Sequence, residues 1–147
     1  MKKSYKGRTI LPSAEDGQVL VSQRGFNSLA CFYQSILSNS DLAVCSDQDN
    51  PDLFGQVLTD KIVCTPCSTG STTAGATWLH IAKLNMAPKA MLFSQSIDSL
   101  AAAGLILVEV WLNKRICTID RLGDEFLNTV KSGMSIRIQK SGLVEIL

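Results

Sequence analysis

The chain has 147 residues, a length that one hydrophobic core can serve, and its 46% hydrophobic and 18% charged residues describe a folded globule rather than a disordered segment. Fourteen basic residues against thirteen acidic ones give a net charge of +1, with no basic run long enough to neutralise a row of phosphates, so nucleic-acid binding is not expected. No apolar stretch follows Lys2 and Lys3, and the apolar run from Ser99 to Leu112 is short for a membrane span and carries Glu109, so neither export nor membrane insertion is expected and the five cysteines read as reduced thiols in a cytoplasm.

In chain order, the apolar pattern predicts short strands over 7–11 and 18–22, followed by an apolar stretch, 29–37, that fits strand or helix equally. Residues 38–52 crowd Asn, Asp, Ser and Pro51 together as a long surface loop does. A strand rich in Ile and Val follows at 61–65. The period then changes: Trp78, Ile81, Ala82 and Leu84 share one face of a helix from 73 to about 85, with Pro88 just beyond. Beyond it the pattern predicts a buried strand at 89–93, a helix over 95–103, a strand over 105–110 and another at 116–119. A helix over 123–131 and strands at 135–139 and 143–147, separated by Lys140-Ser141-Gly142, complete the chain. Strands alternating with helices imply an α/β sheet, and the whole predicts one domain, 1–147, of three-layer β/β/α type. No internal repeat or linker divides it.

The richest stretch is 61–75, where a buried strand empties into a hydroxyl- and glycine-rich loop that opens a helix. Unpaired N–H groups at a helix start carry the positive end of the dipole and suit an anion. Gly70 and Gly75 would let backbone approach a ligand, and Ser71, Thr72 and Thr73 add hydroxyl donors. A simple helix cap is the competing use of these residues, although four hydroxyls in 68–72 exceed what one cap needs.

At this point the chain resembles a family. Asn50-Pro51-Asp52-Leu53-Phe54-Gly55-Gln56, then Lys61-Ile62-Val63, Gly70-Ser71-Thr72 and Ala87-Pro88-Lys89-Ala90, in that order and spacing, are similar to the small subunit of aconitase X, as are the opening Gly7-Arg8-Thr9-Ile10-Leu11 and the stretch from Asp98 to Gly104. The resemblance implies a swivelling β/β/α domain like the aconitase C-terminal domain. It also implies a dehydratase (hydro-lyase) that is incomplete without a large subunit carrying an iron or iron–sulfur centre, in a cytoplasmic heterodimer. Residue by residue, it makes Ser71 the base that takes a proton from the substrate carbon, with Gly70, Thr72 and Thr73 as substrate-binding neighbours; no metal ligand is expected from this chain. An alkoxide needs stabilisation, which a nest of N–H groups at a helix start can give.

The chain departs from the family at three places: Thr69 stands where a basic residue is usual, Leu37-Ser38-Asn39-Ser40 replaces a Gly-Gly-Val-Asp-Pro-like segment, and Asn50 replaces a His before Pro. Two substrates are implied, cis-3-hydroxy-L-proline and mevalonate 5-phosphate. A phosphate usually takes a positive charge, and 68–75 contain neither Lys nor Arg, so the hydroxyproline is the expected substrate.

Three other signals have simpler readings. Cys64-Thr65-Pro66-Cys67 has C-x-x-C spacing, but Cys31, Cys45 and Cys117 supply no second pair for zinc, and the loop separates it from a helix start; packed or loop thiols are expected. His80, the single histidine, falls two turns into a helix, where a helix-surface or packed imidazole is expected rather than a phosphocarrier site. Trp78, Trp111, Met86, Met91 and the run from 100 to 112 read as core with one patch reserved for the large subunit, and a stand-alone binding module is the remaining alternative to the enzyme.

Overall fold

The structure, a computed structural model, describes residues 2–70 and 72–147. It opens with β1 (Ser4–Lys6), β2 (Arg8–Leu11), β3 (Glu15–Val21) and the two-residue β4 (Phe26–Asn27), which runs into α1 (Ser28–Leu37). After a long irregular segment come β5 (Ile62–Thr65), β6 (Ser68–Thr69), α2 (Ala74–Lys83), β7 (Ala90–Phe93), α3 (Ser99–Leu112) and β8 (Cys117–Asp120). The last elements are α4 (Asp124–Thr129), β9 (Ser135–Ile138) and β10 (Leu143–Ile146).

One sheet runs in the order β1-β10-β9-β3-β5-β7-β8-β2. Its centre, β3-β5-β7-β8, is parallel, and the flanks pair antiparallel. The two end strands, β1 and β2, are joined through Gly7 alone, so the sheet has to curl until its ends meet. Gly7 fits that seam because a methyl there would lie 2.5 Å from Ile119 Cγ2 and 2.6 Å from the Asp120 carbonyl. The Gly7 N–H donates to the Gly142 carbonyl across the seam at 3.0 Å.

Curling gives the sheet an inside and an outside, and strand periodicity sorts side chains between them. On β5, Ile62 and Cys64 face the inside with Val19, Leu92, Ile119 and Phe126, while Val63 joins the outer core. On β7, Met91 and Phe93 likewise point outward, against Trp78, Ile81, Leu105 and Val108 of the helices. Two walls of sheet and one layer of helices make the β/β/α arrangement, a mixed α/β fold, with α4 plugging the curled sheet through Phe126 and Leu127. Each large apolar side chain buried in this way contributes roughly 1.5–3 kcal/mol.

Three expectations need correction. Residues 105–110 are not a strand; they lie within α3, which is capped at its start by Asp98 and closed by Asn113 in the left-handed conformation. Its buried residues, Ala101, Gly104, Leu105 and Val108, keep helical spacing. Leu100, Ile106, Val110 and Trp111 are exposed on the same helix, so apolar residues stand on both faces and the helical period is hidden. Trp111 is accordingly not core, at 67% exposed, whereas Trp78, Met86 and Met91 are fully buried. Finally, 38–52 is not a solvated loop throughout, because Ala43, Cys45 and Asn50 are buried and Val44 forms a bridge with Val57. The ambiguous 29–37 is helix α1, its first turn capped by Asn27 Oδ1 accepting from Ala30 N at 3.1 Å.

Candidate active site

The hydroxyl-rich loop is built at the carboxyl end of the parallel strands, where α/β sheets place their ligands. β5 ends at Thr65, and β6 then pairs in parallel with β4, Phe26 opposite Ser68 and Asn27 opposite Thr69. The Phe26 N–H donates to the Cys67 carbonyl at 2.8 Å, which fixes the start of the loop. At Gly70 the chain turns with φ +113°, a conformation open to glycine, and a methyl there would lie 3.1 Å from Asn27 Oδ1. Thr72 is an exposed turn residue, and Thr73 is the N-cap of α2. Thr73 holds αR geometry, φ −79° and ψ −7°, instead of the extended form usual for a side-chain cap, and its carbonyl accepts from Thr77 N and Thr77 Oγ1. Ser71, the expected base, lies outside the described residues.

Around the loop is a cleft of about 220 Å³ lined by Ser68, Thr69, Gly70, Ala74, Asp98 and Leu100. Asp98 is the N-cap of α3, and its Oδ1 accepts from Leu100 N and Ala101 N at 2.9 Å each. Beneath the loop Phe26 stacks on Trp78 with ring centres 5.7 Å apart, and Phe32 meets both edge-on at 5.7 and 5.4 Å. That cluster ties β4, α1 and α2 into one support. A larger hollow of about 410 Å³ lies beside Lys89, Lys114, Arg115 and Ile116. Those residues precede or begin the parallel strands, so it sits at the wrong end of the sheet for a ligand site of this fold.

Of the expected binding residues, Gly70 lines the cleft, while Thr72 and Thr73 follow it into α2. Gly75 serves a different purpose from the one its sequence position suggests: it is inside α2, and a methyl on Gly104 of α3 would lie 2.5 Å from its Cα. It lets two helices close up, not a ligand approach. Cys64 faces the inside of the sheet and burial pushes its thiol upward, the state of an inert cysteine. Cys67 is half-buried beside the loop, where a methyl on Gly25 would lie 3.2 Å from its sulfur. His80 is exposed on α2, at about the second turn. Among the described residues no group of three or more His, Cys, Asp or Glu could hold a metal ion. The described residues therefore do not fit an iron centre of their own.

Sequence reasoning missed Asn27, Asp98 and the corner at 22–24 as neighbours of the loop. Asp98 could have been read as a cap two residues ahead of the apolar run. Nothing local to Asn27 or the corner marks them, because β4 and β6 are two residues each and meet only through pairing.

Comparison with known proteins agrees with this geometry. The sequence model of the aconitase X swivel domain matches residues 4–146. The phosphomevalonate dehydratase small subunit of Thermococcus kodakarensis is 27% identical over 143 residues, covering 97% of this chain and 95% of the relative. That of Methanococcoides burtonii is 29% identical over 145 residues, covering 95% and 93%. The crystal structure of Thermococcus kodakaraensis aconitase X, holo-form, superposes with a TM-score of 0.82 at 27% identity, over 99% of this chain and 98% of that one. A solution structure of a UPF0107 protein, at 20% identity and TM-score 0.78, shares the fold. A curled sheet, matched over nearly its full length by that domain, places this chain in the aconitase X swivel-domain family.

Proposed function

We propose that the chain is the small subunit of a cytoplasmic aconitase X type dehydratase, one swivel domain that presents Ser71 as general base to a hydroxy acid held against a larger partner. The observation that carries this reading is the position of 68–70 and 72–73, between the carboxyl end of β5 and the start of α2, in a chain of this family. A serine there is flanked by hydroxyls and by the positive end of a helix, which favours Oγ⁻ without a full charge. Gly70, Thr72 and Thr73 are assigned to holding the substrate's polar groups. The iron or iron–sulfur centre expected of such an enzyme is assigned to the partner, where it would act as the Lewis acid. One base is half a mechanism, so the single chain has no activity alone.

For the substrate, the reading follows the relatives, which carry the name phosphomevalonate dehydratase small subunit: mevalonate 5-phosphate is the hydroxy acid that loses water. The expectation of cis-3-hydroxy-L-proline survives as a second reading on one observation, the lack of Lys or Arg in 68–75. The test is assembly of the two subunits with iron under anaerobic conditions, each substrate offered separately. Ser71→Ala in that complex lowers kcat roughly 10²–10⁴-fold and leaves substrate binding nearly unchanged, as loss of a base does. Normal turnover in the variant reassigns Ser71 to the helix start; turnover by the single chain removes the subunit reading.

A further inference from the structure

The cleft beside the loop contains the Asp98 carboxylate and neither Lys nor Arg. An anionic substrate there meets a negative charge, and helix-start amides have to be joined by a cation if it is to bind well. The fold sets Gly25, the chain neighbour of Arg24, against Thr69 of the loop from far away in sequence. The geometry points to Arg24 as the residue that binds the anionic group of the substrate, its phosphate or its carboxylate; this rests on the dehydratase reading above.

Arg24 closes a corner between β3 and β4 that is held rigid on three sides. Its N–H donates to Ser22 Oγ at 3.0 Å, and its carbonyl accepts from Thr65 Oγ1 at 2.7 Å. Ser22 Oγ in turn lies 3.0 Å from Asn50 Oδ1, and Asp52 accepts from Gln23 N at 2.9 Å. Buried Asn50 and exposed Asp52 of the irregular segment thus buttress the corner. Gly25 then lies flat against the loop, since a methyl there would come 2.4 Å from Thr69 Cγ2. Phe26 follows into the pairing with Ser68. Arg24 is therefore one residue away from direct contact with Thr69, on backbone that costs nothing further to order.

The guanidinium is also uncommitted. Of the five arginines, Arg8, Arg115 and Arg137 form ion pairs with Asp120, Glu109 and Asp16, and Arg121 donates to Ser96 Oγ. Arg24 is exposed and makes no side-chain ion pair or hydrogen bond among the described residues. A planar fork with five donors suits a phosphate or carboxylate, and a rigid backbone lowers the entropy lost in using it.

The experiment uses the complex of this chain with its large subunit, as wild type, Arg24→Gln and Arg24→Lys. Steady-state turnover is measured on mevalonate 5-phosphate and cis-3-hydroxy-L-proline, with calorimetric binding of each. The Gln variant is expected to raise KM and Kd about 10- to 100-fold, the loss of a charge-assisted contact, with kcat changed less than about 3-fold. Lys, which keeps the charge but not the fork, recovers part of the loss. A loss confined to mevalonate 5-phosphate identifies the phosphate as the bound group; an equal loss on both compounds identifies the carboxylate. Unchanged Kd in the Gln variant overturns the inference. So does dissociation of that variant complex in gel filtration, which would make Arg24 an interface residue, and so does a wild-type complex that binds neither compound. A wild-type complex that binds but turns over neither removes the dehydratase reading alone, and Arg24 is then decided by the binding data.

Discussion

Gly104 of α3 and Gly75 of α2 meet backbone to backbone: a methyl on Gly104 would stand 2.5 Å from Gly75 Cα and 2.7 Å from its carbonyl oxygen. The contact closes the two helices whose N-terminal ends form opposite sides of the cleft, Ala74 on one and Asp98 with Leu100 on the other.

Gly104→Ala is expected to lower stability by about 1–3 kcal/mol, since the clash is with backbone and exceeds the helix propensity that alanine gains. Gly75→Ala is milder, because its methyl would lie 3.3 Å from the Leu100 carbonyl. Chemical denaturation of the two variants checks the order; a stabilised Gly104→Ala protein contradicts the packing.

The two tryptophans should separate cleanly. Trp78→Ala removes the centre of the Phe26–Phe32–Trp78 cluster and costs about 3–5 kcal/mol, the range for a large buried aromatic. Trp111→Ala, at a side chain 67% exposed, changes the stability of the isolated chain by less than about 0.5 kcal/mol. Acrylamide should quench the fluorescence of the Trp78→Phe protein, which keeps Trp111, and spare that of Trp111→Phe; equal quenching sinks the assignment.

The thiols are expected to react in two classes. Cys67 is half-buried, whereas Cys31, Cys45, Cys64 and Cys117 are buried. A hydrogen bond with Cys45 and then burial push the Cys31 thiol upward, burial alone does so at Cys64, and burial carries Cys117 up to about 11. Dithionitrobenzoate at mild alkaline pH should therefore label one thiol quickly and the rest only on unfolding. Loss of the fast class in Cys67→Ser confirms its identity, and a second fast thiol in wild type refutes the burial pattern.

Arg8→Gln should lower the melting temperature more than Arg137→Gln. Arg8 donates twice to Asp120, a carboxylate with a fully buried side chain whose other partner is Ile97 N at 2.8 Å, so the variant strands a buried charge. The Asp16 side chain that faces Arg137 is 56% exposed and water replaces the lost contact. Hydrogen bonding to Arg137 holds the Asp16 carboxyl below its usual range, so this pair's small contribution is present above the unfolded carboxyl pKa and disappears as pH falls through the folded one. Melting curves between neutral and acid pH, at low and high salt, check both the order and the sign.

Local pattern determined much of this protein. The run at 61–65 had to be a buried strand, and Trp78, Ile81 and Ala82 fixed the buried face of α2, because each signal lies within one element and its period. The resemblance at Gly70-Ser71-Thr72 located the loop for the same reason, its residues being consecutive. α3 escaped the reading because it is apolar on both faces, and only its packing through Gly104 shows which face is inside. Tertiary structure alone decided the closure of the sheet at Gly7, since β1 and β2 meet strands more than a hundred residues further on. It also set Gly25, Asn27 and Asp98 around the loop, because each gets there through pairing or packing with segments distant in the chain, and such contacts leave no period for a sequence to display.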